Sequence, residues 1–133
     1  MAREKQAATV AEVMTQVVVG LPTNATVADA IDLFTSRHIT GAPIVSKEGE
    51  VQGLVSMTDA LAASDKTCPV MDIAARRVVE IDEDAPLSEA AKVLLDLGIH
   101  RLLVTRRGRF AGILSSTDVL KWVARPALEA ELR

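Results

Sequence analysis

The stretch GILSSTDVL, residues Gly112–Leu120, repeats a phrase that the chain already carries as GLVSMTDAL at Gly53–Leu61. The match extends in both directions: EGEVQGLVSMTDAL lies over RGRFAGILSSTDVL, and NATVADAIDLFTSRHI lies over DAPLSEAAKVLLDLGI. The segment EVMTQ near the start also resembles PVMDI at Pro69–Ile73. A unit of about sixty residues is therefore written twice and covers nearly the whole chain, which indicates an internally repeated fold.

Each repeat predicts the same order of elements: strand, helix, strand, strand, helix. The first helix of repeat 1 carries apolar side chains at Val27, Ala30, Ile31 and Phe34, the spacing of one helix face. Gly98 predicts the end of the corresponding helix in repeat 2. Strands are predicted at residues 17–21, 42–46 and 51–55 in repeat 1, and at 78–81, 102–105 and 110–114 in repeat 2.

The closing helix of each repeat is predicted to begin at the Ser/Thr/Asp phrase. The second of these helices should run to about Ala124 and end near Pro126, with residues 125–133 as a tail or short helix. One three-stranded sheet with two helices cannot cover its own apolar face, so the repeats are expected to pack with pseudo-twofold symmetry. The predicted fold class is α/β of the α+β kind, with an N-terminal tail (1–8), repeat 1 (9–66) and repeat 2 (67–124).

The composition indicates a soluble, cytoplasmic protein. Its net charge is −3 and its aromatic content is 2%, so neither nucleic acid nor a membrane surface is an expected partner. Cys68 is the single cysteine, which excludes an internal disulfide and a cysteine metal cluster. The polar N-terminus has no signal-peptide core, and no apolar run reaches transmembrane length.

The doubled phrase G-h-h-[ST]-x-[ST]-D, following a hairpin in each repeat, resembles a pair of CBS domains, often called a Bateman module. The segment VAEVMTQVVVGLPTNATVADAIDLFTSRHITGAPIV at residues 10–45 is also similar to that family. The resemblance covers roughly residues 9–124. It implies two related clefts for adenosine-containing ligands such as AMP, ADP, ATP or S-adenosylmethionine, frequent homodimerisation, and regulation of an effector protein whose identity is unknown.

Two aspartates of the repeated phrase are candidate ribose ligands. A carboxylate accepts hydrogen bonds from both ribose hydroxyls, which suits Asp59 and Asp118. The phrase also supplies hydroxyl groups at a helix start, where phosphate is favoured: Ser56, Thr58, Ser115 and Thr117. The S-x-x-D spacing is equally a capping pattern, so helix capping alone is the alternative interpretation.

The phosphate candidates precede the second strand of repeat 2. Arg101 offers a planar fork of donors, and His100 would add a donor whose binding depends on pH if it must be charged. Thr40 and Gly41 occupy these places in repeat 1, so the first site is expected to hold phosphate more weakly. The alternative is a solvated strand entry with an ordinary surface arginine.

The resemblance also implies apolar walls around the adenine. These are Val18, Ile39, Ala42 and Pro43 in repeat 1, and Val78, Ile99, Leu102 and Leu103 in repeat 2. Leu103 replaces the family's proline in repeat 2, which alters the second pocket. Plain core packing is the alternative for all of these apolar positions.

No catalytic arrangement is expected. The two histidines stand outside any catalytic motif, and no G-K-[ST] phosphate loop occurs. Neither a metal nor a required cofactor is predicted. Two hypotheses remain: a regulatory sensor that binds an adenosine-containing ligand and acts on a partner in trans, or a structural dimerisation module without a nucleotide.

Overall fold

The structure, a computed structural model, describes residues 8–17 and 19–131. It forms two compact units: Val17–Val78, and a second unit that combines the chain up to Gln16 with the chain from Val79 onward. Of the predicted N-terminal tail only Ala8 lies within the described residues, and it is buried. In chain order the elements are α1 (Val10–Val13), β1 (Thr15–Gln16), β2 (Leu21–Pro22), α2 (Val27–Arg37), β3 (Gly41–Val45), β4 (Val51–Ser56), α3 (Met57–Ala62), a 3₁₀ helix (Val70–Asp72), β5 (Glu80–Asp82), α4 (Leu87–Leu97), β6 (Arg101–Arg106), β7 (Arg109–Ser115) and α5 (Ser116–Glu131).

The Val17–Val78 unit is built on a three-stranded sheet in the order β2-β3-β4. β2 runs parallel to β3, and β3 forms an antiparallel hairpin with β4. α2 buries the predicted stripe at Val27, Ala30 and Phe34, which packs with Ile44 of the sheet. Burying a large apolar side chain contributes roughly 1.5–3 kcal/mol, so this stripe is a major source of the unit's stability.

The second unit has the same plan with one more strand. β5 runs parallel to β6, β6 and β7 form a hairpin, and β1 adds to the free side of β7, giving the order β1-β7-β6-β5. α4 buries Leu87, Ala90 and Leu94, and it ends at Gly98 with φ +63°, as predicted. The sequence did not predict β1, so the expected three-stranded sheet has a fourth strand here.

The first strand of each repeat is shorter than predicted. Within the described part of the stretch 17–21, only Leu21 lies in a strand, and β5 begins at Glu80 rather than at residue 78. Val17 is buried and Val79 is half-buried without belonging to a strand. The apolar pattern in these stretches therefore reflects burial, since strand pairing is limited to the two or three residues that face β3 or β6.

The predicted end of the last helix is wrong, because α5 continues through Pro126 to Glu131. Proline has no N–H, so the carbonyl of Trp122 loses its helical donor at this position. The Arg125 side chain replaces that donor: its Nη1 donates to the Trp122 carbonyl at 2.7 Å. The guanidinium also lies 3.7 Å from the centroid of the Trp122 ring. This local compensation lets the helix pass the proline.

Candidate functional site

The two copies of the repeated phrase lie at equivalent junctions. Ser56 ends β4 and α3 begins at the next residue, while Ser115 ends β7 and α5 begins at the next residue. Each phrase therefore ends a hairpin and opens a helix, as the sequence predicts. The candidate hydroxyls and carboxylates lie at helix N-termini in both units.

The hairpin register brings the other polar candidates next to these junctions. Gly41 is the strand partner of Ser56, and Arg101 is the strand partner of Ser115. The helix starts are tied to the same place, because Met57 N–H donates to the Thr40 carbonyl at 2.8 Å. In the second unit, Ser116 N–H donates to the His100 carbonyl at 2.9 Å. The structure thus brings residue 40 next to residues 56–59 in one unit, and residues 100–101 next to residues 115–118 in the other.

Both serines of the phrases cap their helices. Ser56 Oγ accepts from Asp59 N–H at 3.1 Å, and Ser115 Oγ accepts from Asp118 N–H at the same distance. Only Asp118 reciprocates, since its Oδ2 accepts from Ser115 N–H at 2.9 Å. The capping interpretation is therefore correct for the backbone. Among the described residues, Oδ1 of Asp118 has no hydrogen-bond partner, so capping does not exclude a ligand.

The polar candidates differ in their exposure. Asp59 and Thr58 are exposed, Thr117 is exposed, and Asp118 is half-buried. Arg101 is half-buried at the start of β6. His100 of the second unit and Thr40 of the first unit are both exposed. Among the described residues, no side-chain hydrogen bond holds the Arg101 guanidinium or the His100 imidazole.

The apolar candidates are divided between the two units. Ile39 and Ile99 are half-buried and pack against the core of their own units. Pro43 is fully buried. Val78 is half-buried and belongs to the Val17–Val78 unit, whereas Ile99 belongs to the other. Val18 lies outside the described residues.

The glycine of each phrase has a structural role that sequence reasoning missed. A Cβ at Gly112 would lie 2.5 Å from the Thr15 carbonyl oxygen and 2.8 Å from Met14 Sδ. A Cβ at Gly53 would lie 3.1 Å from the Ala75 carbonyl oxygen. Both glycines therefore leave room for a crossing segment. The similarity of EVMTQ to PVMDI was the available signal, because these two segments lead into the crossings.

The second unit contains an open groove between α1 and α5. Its volume is about 340 Å³, and it is widely open to solvent. Glu12 and Val13 of α1 line one side, and α5 contributes Asp118, Lys121, Trp122 and Arg125. Of these residues only Asp118 was a sequence candidate. The spacing 118, 121, 122, 125 marks one helix face and was the signal for the rest.

The arginines near the second hairpin are partly engaged. Arg106 Nε donates to Glu83 Oε2 at 2.6 Å. The pKa of the Arg106 guanidinium lies above its ordinary value, because it hydrogen-bonds to the Glu83 carboxylate and is attracted by that charge. Since Arg106 is exposed, this pair contributes little stability.

In the stretches 8–17 and 19–131, no three His, Cys, Asp or Glu side chains are placed to hold a metal ion. None of the helices in that part of the chain has the length and apolar character needed to span a membrane.

Known proteins resemble this chain over most of its length. The sequence model of the CBS domain matches residues 10–66 and 70–125. An uncharacterized protein of Methanocaldococcus jannaschii is 32% identical over 116 residues, covering 84% of this chain and 41% of that protein. The inosine-5′-monophosphate dehydrogenase of the same organism is 32% identical over 111 residues, covering 83% of this chain and 22% of the enzyme. The chain therefore spans less than half the length of these relatives.

Solved structures show the same fold. The CBS domain pair of protein MJ0100, in complex with 5′-methylthioadenosine and S-adenosyl-L-methionine, superposes with a TM-score of 0.75 at 20% identity, covering 90% of this chain and 98% of that one. The CBS domain of a CBS domain-containing membrane protein from Sphaerobacter thermophilus gives 0.75 at 20% identity, covering 90% of each chain.

Proposed function

This chain belongs to the CBS domain family and carries two CBS domains in tandem, and from that premise we propose that it is a regulatory module that binds an adenosine-containing ligand and acts on a partner protein. The observation that carries the proposal is the pairing of Arg101 with Ser115 across the β6–β7 hairpin. It sets the half-buried residue Arg101 beside the helix start that holds Asp118. Enzymatic activity is not part of this proposal.

The chemistry of this corner suits a nucleotide. Oδ1 of Asp118 is free to accept from a ribose hydroxyl, while Oδ2 is held by Ser115 N–H and fixes the carboxylate. A fixed acceptor loses little side-chain entropy on binding. Arg101 can donate to a phosphate in two parallel hydrogen bonds, and His100 adds a further donor.

The two repeats should differ in affinity. The first unit places Thr40 and Gly41 where the second has His100 and Arg101, so it lacks a cation at this corner. Its Asp59 is also exposed rather than half-buried. We therefore expect the tighter site to include Asp118. The ligand classes are AMP, ADP, ATP and S-adenosylmethionine, and the protein MJ0100 crystallised with two adenosine compounds supports this range.

Ligand titration of purified protein tests the proposal. Trp122 is the single tryptophan and lines the groove that contains Asp118, so its fluorescence should respond to binding near that carboxylate. Thermal melts in the presence of each compound give an independent measurement, because a ligand of the folded state raises the Tm. If none of the four ligand classes raises the Tm at millimolar concentration, the proposed function is wrong.

Three substitutions locate the site. Asp118→Asn keeps an acceptor for Ser115 N–H but removes the charge, and it should weaken binding about 10- to 100-fold, as expected for a hydrogen bond to a charged group. Arg101→Met should weaken the binding of phosphorylated ligands more than the binding of 5′-methylthioadenosine, which has no phosphate. Asp59→Asn is the matched control in the other repeat. Equal losses for Asp59→Asn and Asp118→Asn would contradict the predicted asymmetry.

Exposed apolar side chains favour the second function, a homodimerisation module. Leu95 on α4 is 81% exposed, and Leu120 and Val123 on α5 are 67% and 69% exposed. α4 and α5 contact each other within the second unit. Large exposed apolar side chains on neighbouring helices are typical of protein interfaces. Sedimentation velocity of the native chain and of Leu120→Glu tests this. The native chain should be a dimer, and Leu120→Glu should be a monomer. If the native chain is a monomer at about 100 µM, roughly tenfold above a Kd of ~10 µM for a dimer, the homodimerisation function is refuted.

A further inference from the structure

The α1–α5 groove contains Asp118 and three further charged side chains that the nucleotide proposal does not use. Two acidic and two basic side chains line it: Glu12 and Asp118 carry negative charge, and Lys121 and Arg125 carry positive charge. No salt bridge joins any of these four side chains to another of the four, all of which the structure describes. The groove is therefore neutral overall, with separated charges of both signs.

The positions of these charges are partly fixed by the backbone. Glu12 Oε1 accepts from Thr9 N–H at 3.2 Å, which leaves Oε2 for a ligand. Asp118 is held by Ser115 in the same manner. Arg125 stacks on the Trp122 ring and gives one of its donors to the Trp122 carbonyl. Among the described residues, each carboxylate thus has one oxygen without a hydrogen-bond partner, and Arg125 lines the groove beside them.

A ligand group with charges of both signs matches this lining best. The two carboxylates in the groove disfavour binding of a triphosphate group, because like charges in one site raise the free energy of binding. An α-amino acid group presents an ammonium for Glu12 and a carboxylate for Lys121 and Arg125. From Asp118 to Arg125 the helix rises about 10 Å, enough to hold such a group beyond a ribose bound at Asp118.

We infer that the groove lined by Glu12, Lys121 and Arg125 binds the α-amino acid portion of an adenosine ligand. The chain then selects nucleosides that carry an amino acid group over nucleoside triphosphates. This inference rests on the proposed function, because it takes the ribose to lie at Asp118. It adds a second contact region and a choice among the ligand classes.

Calorimetric titration with S-adenosylhomocysteine and 5′-methylthioadenosine tests it, since both are adenosine thioethers and S-adenosylhomocysteine also carries the amino acid group. S-adenosylhomocysteine should bind at least tenfold more tightly. Lys121→Met and Glu12→Gln should each reduce that ratio towards one. Glutamine still accepts the hydrogen bond from Thr9 N–H, so Glu12→Gln keeps the cap of α1 while removing the charge.

The control variant is Lys92→Met on α4, which makes the same change of charge outside the groove. Lys92 pairs only with Asp96 on the exposed face of its helix among the described residues, and the ratio should stay at its native value. Equal affinities for the two thioethers in the native protein would overturn the inference while leaving the proposed function intact. A tenfold ratio that survives both groove substitutions would also overturn it. Failure of both thioethers, AMP and ATP to bind would instead refute the proposed function itself.

Discussion

Substituting Gly112 by alanine tests the most demanding packing feature of the fold. Gly112 lies in β7, where β1 runs antiparallel beside it, and the pairs Thr15–Ile113 and Gln16–Gly112 define the register. An added Cβ would lie 2.5 Å from the Thr15 carbonyl oxygen. A carbon and a carbonyl oxygen make their closest ordinary contacts at about 3.3 Å, so the overlap is about 0.8 Å. The obstacle is backbone, which cannot rotate away as a side chain does.

The cost follows from what must move. Overpacking of this kind costs about 1–3 kcal/mol. Relief requires β1 to shift away from β7, which weakens hydrogen bonds that each contribute about 1 kcal/mol. We expect Gly112→Ala to lower the free energy of unfolding by about 3 kcal/mol. Gly53→Ala meets its nearest neighbours at 3.1 and 3.2 Å, a smaller overlap, and should cost about 1 kcal/mol.

Urea denaturation followed by Trp122 fluorescence measures the effect in the unit that contains Gly112. Far-UV circular dichroism follows both units in the same samples. Gly98→Ala is the control for backbone conformation alone, because its φ is +63° and nothing lies within 4 Å of its added Cβ; it should cost about 1 kcal/mol. If Gly112→Ala costs no more than Gly98→Ala, the close crossing of β1 does not constrain this position and the reasoning fails.

Three further changes have expected effects on the free energy of unfolding, each measured by urea denaturation. His38 ends α2 at φ 55°, and the equivalent residue of the other repeat is Gly98. His38→Gly should therefore stabilise the protein by about 1 kcal/mol, and Gly98→His should destabilise it by at least as much. A destabilising His38→Gly or a stabilising Gly98→His would contradict the equivalence of the two positions. Arg125→Ala should cost about 1–2 kcal/mol in the native chain. It should cost less in the Pro126→Ala background, where the alanine N–H donates to the Trp122 carbonyl. If the two substitutions have additive effects, Arg125 does not compensate for the donor that Pro126 lacks. Lys66→Met removes an ammonium that donates to three carbonyls at the end of α3 and should cost about 1–2 kcal/mol; no change would show that water replaces it.

Sequence reasoning succeeded where the signal was local. The stripes of α2 and α4 follow from the 3.6-residue period, and the hairpin turns follow from Gly49 and Gly108, both at positive φ. β1 escaped detection because it has two residues and its partner strand lies nearly a hundred residues later in the chain. The passage of α5 through Pro126 also escaped, since it depends on a side-chain donor rather than on the proline itself.

The same distinction applies to the candidate site. The grouping of Arg101 with Asp118 follows from hairpin register and could be inferred from the repeat. The groove could not, because it requires α1 to lie against α5, and these helices are separated by most of the chain. Glu12 has no motif that marks it, and the spacing of Lys121 from Asp118 indicates only that both lie on one face of α5. Their significance comes only from the packing that places their charges in one cavity.

The repeated phrase itself separates structural residues from candidate functional residues. Its glycine lies close to a neighbouring backbone segment in both units, more tightly at Gly112 than at Gly53, and its serine caps a helix in both. These residues would be needed in the absence of any ligand, so their repetition is weak evidence for binding. The residues that differ between the repeats carry more information: Arg101 replaces Gly41 with no change in strand register. Since the fold tolerates either residue there, a loss of ligand affinity in Arg101→Met with unchanged stability would indicate recognition rather than folding.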